Sequence, residues 1–145
     1  MLLPALPWVH DDGGRAAAGY ADGPAQDCVC RAISIATRSD YDAVYRALAD
    51  ALAAEGLPRS ARNGVPRRIY GPFLEDLLGW TWTPTMSIGS GCRVHLRQGE
   101  LPEGRLVVQV SQHLTAVLDG VIHDTYDPTR EGTRCVYGYY WRNPC

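Results

Sequence analysis

Helical periodicity confined to the first half of the chain, and β-type patterning confined to the second, predict an α+β domain with N-terminal helices packed on a C-terminal antiparallel sheet. A third observation orders the strands: Asp119-Gly120 between two apolar runs is the signal of a two-residue hairpin. Parallel strands would need helical crossovers between them, and the second half patterns none. With 145 residues, 46% of them hydrophobic and 21% charged, the chain is expected to form a single domain over 1–145 with one core. Residues 1–25 are expected to be a loop-rich lead, Gly-rich from Asp11 to Gly23.

The first helix is expected to begin near Cys28. Asp27 stands where an N-cap would, and Val29, Ala32, Ile33 and Ala36 recur at helical spacing. A second helix reads from Ser39 as its cap, with Asp42 three residues on and an apolar stripe of Tyr41, Val44, Tyr45, Leu48 and Leu52 before Gly56 and Pro58. A third follows Asn63-Gly64, with Pro66 near its first turn and Tyr70, Phe73, Leu74, Leu77 and Leu78 as its apolar face. Gly79 ends it and Pro72 is a candidate kink. Strands are expected at 80–83, 105–111, 113–118, 121–126 and 135–141.

A formal net charge of -2 offers no electrostatic footprint for nucleic acid or an anionic membrane. The local basic group of Arg59, Arg62, Arg67 and Arg68 reads first as a solvated face around a helix start, and second as a contact for phosphate or an acidic peptide. Residues 1–10 are broken by Pro4 and Pro7 and carry no positive flank, unlike a signal peptide, and no apolar run reaches the ~18 residues of a membrane span. A cytoplasmic location is therefore expected. Five cysteines, Cys28, Cys30, Cys92, Cys135 and Cys145, are an odd number at irregular spacing, which argues against a disulfide framework and leaves thiols for chemistry.

The hairpin register carries the chemical reading. With Asp119 and Gly120 as the turn, Leu118 faces Val121, Val117 faces Ile122, Ala116 faces His123 and Thr115 faces Asp124. His113 then shares a face with Asp124, diagonally across at roughly 7–8 Å of backbone separation, whereas His123 falls on the other face. A carboxylate so placed can fix an imidazole's tautomer and stabilise its charged form. Cys28 supplies a nucleophile, because free N–H groups and the dipole at a helix start favour thiolate. Its own N–H and the Gln26 side chain are candidate oxyanion donors. Cys30 lies deeper in the helix and Asp127 past the regular strand, so they rank behind Cys28 and Asp124. A zinc reading from Cys28, Cys30, Cys92, His95 and His113 has poor ligand spacing, and the pattern calls for no metal or cofactor.

Asp27-Cys-Val-Cys-Arg-Ala32, the strand from His113 to Val117, and His123-Asp-Thr-Tyr-Asp-Pro128 together resemble small papain-like cysteine peptidase folds, including bacteriocin-processing domains and small bacterial or phage proteins. The resemblance runs from about Gln26 to Tyr126. It implies a papain-like cysteine proteinase fold in which Cys28 is the nucleophile, His113 the general base and acid, Asp124 the orienter and Gln26 the oxyanion donor. It also implies a cysteine hydrolase acting on a peptide or protein through an acyl-enzyme. The alternative is a catalytically silent binding module of the same fold, such as a phage or host-interaction protein. The Gly-rich residues 88–92 and the aromatics Trp80, Trp82, Tyr137, Tyr139, Tyr140 and Trp141 are candidates for lining a cleft.

Overall fold

In the computed structural model, which describes residues 3–20 and 26–142, strand β1 (Trp8–His10) precedes helices α1 (Cys28–Thr37), α2 (Tyr41–Ala54) and α3 (Arg67–Pro72). A π-helical turn, Phe73–Leu77, continues α3, and strands β2 (Thr81–Pro84), β3 (Arg105–Val110), β4 (His113–Leu118), β5 (Val121–Asp124) and β6 (Val136–Trp141) complete the order. The strands form one six-stranded sheet in the order β1-β5-β4-β3-β6-β2. Residues 21–23 of the Gly-rich lead, and Cys145, lie outside the described residues.

The architecture is α+β with a mixed sheet, which corrects the expectation of a purely antiparallel one. The strands after residue 80 pair antiparallel, but β1 joins β5 in parallel, Trp8 beside Ile122 and His10 beside Asp124. β1 is three exposed residues long, too short to show alternation, and it sits in a lead that reads as loop. Pairing secures it: Ile122 donates its N–H to the Pro7 carbonyl at 2.8 Å, and Asp11 donates to the Asp124 carbonyl at 2.9 Å.

Both sheet faces are covered, as the period-2 alternation of β3 requires. Val107 with Leu114, Ala116 and Tyr140 packs under the helices, against Ile33, Leu48 and Leu74. Leu106, Val108 and Val110 join Val117, Ile122 and Val136 on the other face, where Leu6 and Leu96 close over them. Gly138 on β6 has no room for a side chain, since a Cβ there would meet the Trp82 ring and approach the Thr83 carbonyl to 2.8 Å. The missing Cβ is what lets the Trp82 ring pack directly over β6 at Gly138.

Two helix ends differ from expectation. Asp40, not Ser39, caps α2, accepting from the Ala43 N–H at 3.0 Å, while the Ser39 hydroxyl is engaged by Thr37. Asp27 does occupy the N-cap position of α1, but its carboxylate makes no capping bond and turns inward. Pro72 has no N–H to give, and the helix passes into the π turn there, with Leu78 N–H reaching the Phe73 carbonyl at 3.1 Å.

The expected absence of disulfides is also corrected: Cys92 and Cys135 are bonded to each other, with Cα atoms 5.8 Å apart. The partners are 43 residues apart in sequence and meet because residues 94–96 pair with 134–136, the stretch that leads into β6. No spacing rule reports that pairing. Disulfides persist in oxidising compartments and are rare in the cytosol, so this bond weighs against the cytoplasmic expectation. Among the described residues no helix is long and apolar enough to cross a membrane.

Candidate functional site

Cys28 opens α1, where the first-turn N–H groups have no partner within the helix and Asp27 does not cap them. β4 packs directly against this helix, and its first residue, His113, lines the same cleft as Cys28. The cleft measures about 620 Å³, and Gln26, Arg67, Gln109 and Tyr126 also line it. A larger space of about 1010 Å³, lined by Arg38, Trp80, Arg105 and Trp141 among others, has neither cysteine nor histidine in its walls.

The hairpin takes the register read from the sequence, Leu118 with Val121, Val117 with Ile122 and Ala116 with His123. His113 Nε2 lies 2.7 Å from Asp124 Oδ2, both side chains being buried. Thr115 donates its hydroxyl to the same oxygen at 2.7 Å. Because Nε2 is committed to Asp124, the ring nitrogen left for Cys28 is Nδ1.

Charge follows this geometry. Burial raises the Asp124 carboxyl, but the hydrogen bond and charge of His113, with Thr115 and the Thr125 N–H, outweigh it and hold the group below its ordinary 3.8. Burial lowers His113, yet its bonds to Asp124 and Cys28 win and raise the imidazole above 6.5. Burial likewise opposes ionisation of Cys28. The His113 hydrogen bond and charge, the Leu114 N–H and the Arg31 cation prevail, and the thiol sits below 9.0. Both shifts favour a thiolate paired with an imidazolium, the reactive form of such a pair.

The competing residues are placed elsewhere. Cys30 is fully buried against the Tyr41 carbonyl, and burial pushes its thiol up to about 12. Asp127 is exposed and accepts from the Thr129 N–H at 2.9 Å, as a turn carboxylate does. Cys92 is in the disulfide and His95 sits 3.1 Å from Glu100. Among the described residues no three His, Cys, Asp or Glu side chains gather as a metal site. Gln26 is exposed at the cleft, its backbone tied to the 62–64 segment by bonds of 2.7 and 3.0 Å.

Sequence reasoning missed the support behind the three residues. Arg31, three positions after Cys28 and only 7% exposed, bonds the Asp27 carboxylate with one guanidinium nitrogen and reaches Asp124 Oδ1 at 3.4 Å with another. Tyr41 donates its hydroxyl to the second Asp27 oxygen at 2.7 Å. Asp124 is thus tied to His113 on one side and to α1 on the other. The available signal was an arginine inside the apolar run Cys28-Val-Cys-Arg-Ala-Ile-Ser-Ile-Ala-Thr37, since a buried arginine needs a carboxylate. Tyr126, with its ring centre 5.1 Å from that of His113, adds an aromatic wall.

The aromatics divide. Trp80 and Tyr140 are core, Tyr139 and Trp141 line the larger space, and Trp82 and Tyr137 line a groove of about 460 Å³ adjoining the Cys28 cleft, together with Gly89 and Gly91. Compared with known proteins, the chain matches no family, no curated protein and no solved structure.

Proposed function

We propose that the chain is a cysteine hydrolase of papain-like arrangement that cleaves amide bonds in a peptide or protein through an acyl-enzyme. The observation that carries this reading is a single cleft lined by Cys28 at its helix start and by His113, whose ring nitrogen lies 2.7 Å from the buried Asp124 carboxylate. A structural histidine needs one partner. This one has a carboxylate on Nε2 and a half-buried, acidified thiol at a helix start within one cleft.

In the first step the Cys28 thiolate attacks the carbonyl carbon of the amide. The C–N bond breaks, the His113 imidazolium gives its proton to the departing amine, and a thioester to Cys28 remains. Water then attacks the thioester and loses a proton to neutral His113, releasing a carboxylic acid and regenerating the thiolate. Asp124 holds the imidazole in place and stabilises its charged form. The oxyanion of each tetrahedral intermediate faces the Cys28 N–H and the Gln26 side chain.

Incubation with a panel of activated esters and short peptide amides, acid quench and intact mass measurement tests the reading. An acyl group mapped to Cys28 is expected, with release of the amine lost in Cys28→Ala by a factor of about 10³ or more. A panel that leaves Cys28 unacylated throughout would overturn it.

A further inference from the structure

The basic group seen in the sequence does not act as one face. Arg59 pairs with Asp50 at 2.8 Å and Arg68 lies 3.9 Å from Glu55, both out in solvent. Arg67 differs. It lines the Cys28 cleft, and its guanidinium lies 4.1 Å above the centre of the Trp82 ring. Among the described residues no carboxylate forms an ion pair with it, while the other arginine of the cleft, Arg31, is committed to Asp27 and Asp124. Among the described residues no aspartate or glutamate lines the cleft.

The seat of Arg67 is built. Gly138 has no Cβ, so Trp82 lies against the sheet, with its ring centre 4.7 Å from that of Tyr140. Arg67 also approaches the Tyr140 hydroxyl, and because a guanidinium carries five N–H donors in a planar fork, donors remain for bidentate binding of a carboxylate.

Gln109 faces the same space and is shared, with Arg67, between the cleft and the adjoining groove. Its side-chain oxygen is buried and, among the described residues, has no hydrogen-bond donor. A buried unpaired acceptor costs about 1–3 kcal/mol, and a ligand N–H would remove that cost. The junction therefore offers an anion site and, beside it, an acceptor for one N–H.

Resting on the hydrolase reading, we propose that Arg67 and Gln109 select a substrate bearing a carboxylate and an amide N–H next to the scissile bond, with Arg67 pairing the carboxylate and Gln109 accepting the N–H. The carboxylate comes either from an acidic side chain or from a peptide's C-terminus.

Two small alkylating agents test this without a known substrate. The rate of Cys28 alkylation by anionic iodoacetate is divided by that by neutral iodoacetamide, which cancels changes in thiol reactivity, and normalised to the same ratio for glutathione. The ratio is expected to fall about tenfold in Arg67→Gln, the loss of roughly one close charge contact, and less in Arg67→Lys. Protection of Cys28 from iodoacetamide is then measured with short glutamate-containing peptides carrying an amidated C-terminus, apolar peptides with a free C-terminus, and apolar amidated peptides.

Protection by the first set assigns the site to an acidic side chain, and by the second to a chain terminus. Either is expected to weaken in Gln109→Leu. An iodoacetate ratio indifferent to Arg67, or equal protection by the uncharged peptides, would overturn the proposal while leaving the hydrolase reading intact. A Cys28 that reacts with iodoacetamide only as an ordinary thiol would instead remove the reading beneath it.

Discussion

Arg31→Met is expected to destabilise the protein by about 3–5 kcal/mol, the cost of stripping a buried ion pair of one partner. Arg31 lies between Asp27 and Asp124, and both carboxylates are nearly inaccessible, at 1% and 2% exposure. Removing the cation leaves two buried carboxylates without the guanidinium between them; Asp27 keeps Tyr41 and the more distant Arg15, and Asp124 keeps His113, Thr115 and the Thr125 N–H. Methionine fills much of the volume, so the loss reports charge more than packing. Arg31→Lys retains the cation without the planar fork and should lose less. Denaturant unfolding of the three proteins measures this. A Met variant within about 1 kcal/mol of wild type would mean the network is not holding α1 to the sheet.

Asp124→Asn, which keeps the side-chain shape and leaves Arg31 its pairing with Asp27, is expected to slow amide hydrolysis by about 10²–10⁴-fold. The direction follows from the charges. Asp124 raises His113 against the opposing effect of burial, so neutralising Asp124 lowers the imidazole and favours its uncharged form near neutrality. The imidazolium that acidifies Cys28 is then lost at a lower pH, and fewer molecules carry the thiolate. The ring's proton on Nε2 also loses its charged acceptor. NMR titration of His113 alongside the hydrolysis rate separates these effects. A titration identical to wild type would contradict the role given to Asp124.

The hairpin was the most legible feature of the chain. Asp119-Gly120 allows one favoured turn, the period of a strand is 2, and together they determine which side chains meet across β4 and β5. The proximity of His113 and Asp124 follows from that local rule. Helix α2 was legible for a similar reason, since its stripe repeats over four turns. Its start was misread by one residue because Ser39 and Asp40 are both good caps, and the hydroxyl of Ser39 was already engaged by Thr37.

Illegible features depend on contacts remote in sequence. β1 is too short for a pattern and exists because the exposed edge of β5 offers it backbone partners. The Cys92–Cys135 bond requires knowing that residues 94–96 lie beside the stretch that leads into β6. The roles of Arg31 and Gln109 require knowing which positions of α1 and β3 face the cleft. The three proposed site residues were readable because two share a hairpin and the third marks a helix start. Their surroundings were not, because those come from packing.

The central claim is that His113 keeps Cys28 ionised where an ordinary thiol is not, and the pH dependence of Cys28 alkylation by iodoacetamide tests it most directly, with the labelled residue confirmed by peptide mapping. The wild-type rate should persist well below the ordinary thiol range near 8.5. In His113→Ala the acid limb should move upward past that range, because burial is then opposed only by the Leu114 N–H and Arg31. Superimposed profiles for the two proteins, both following an ordinary thiol, would contradict the account.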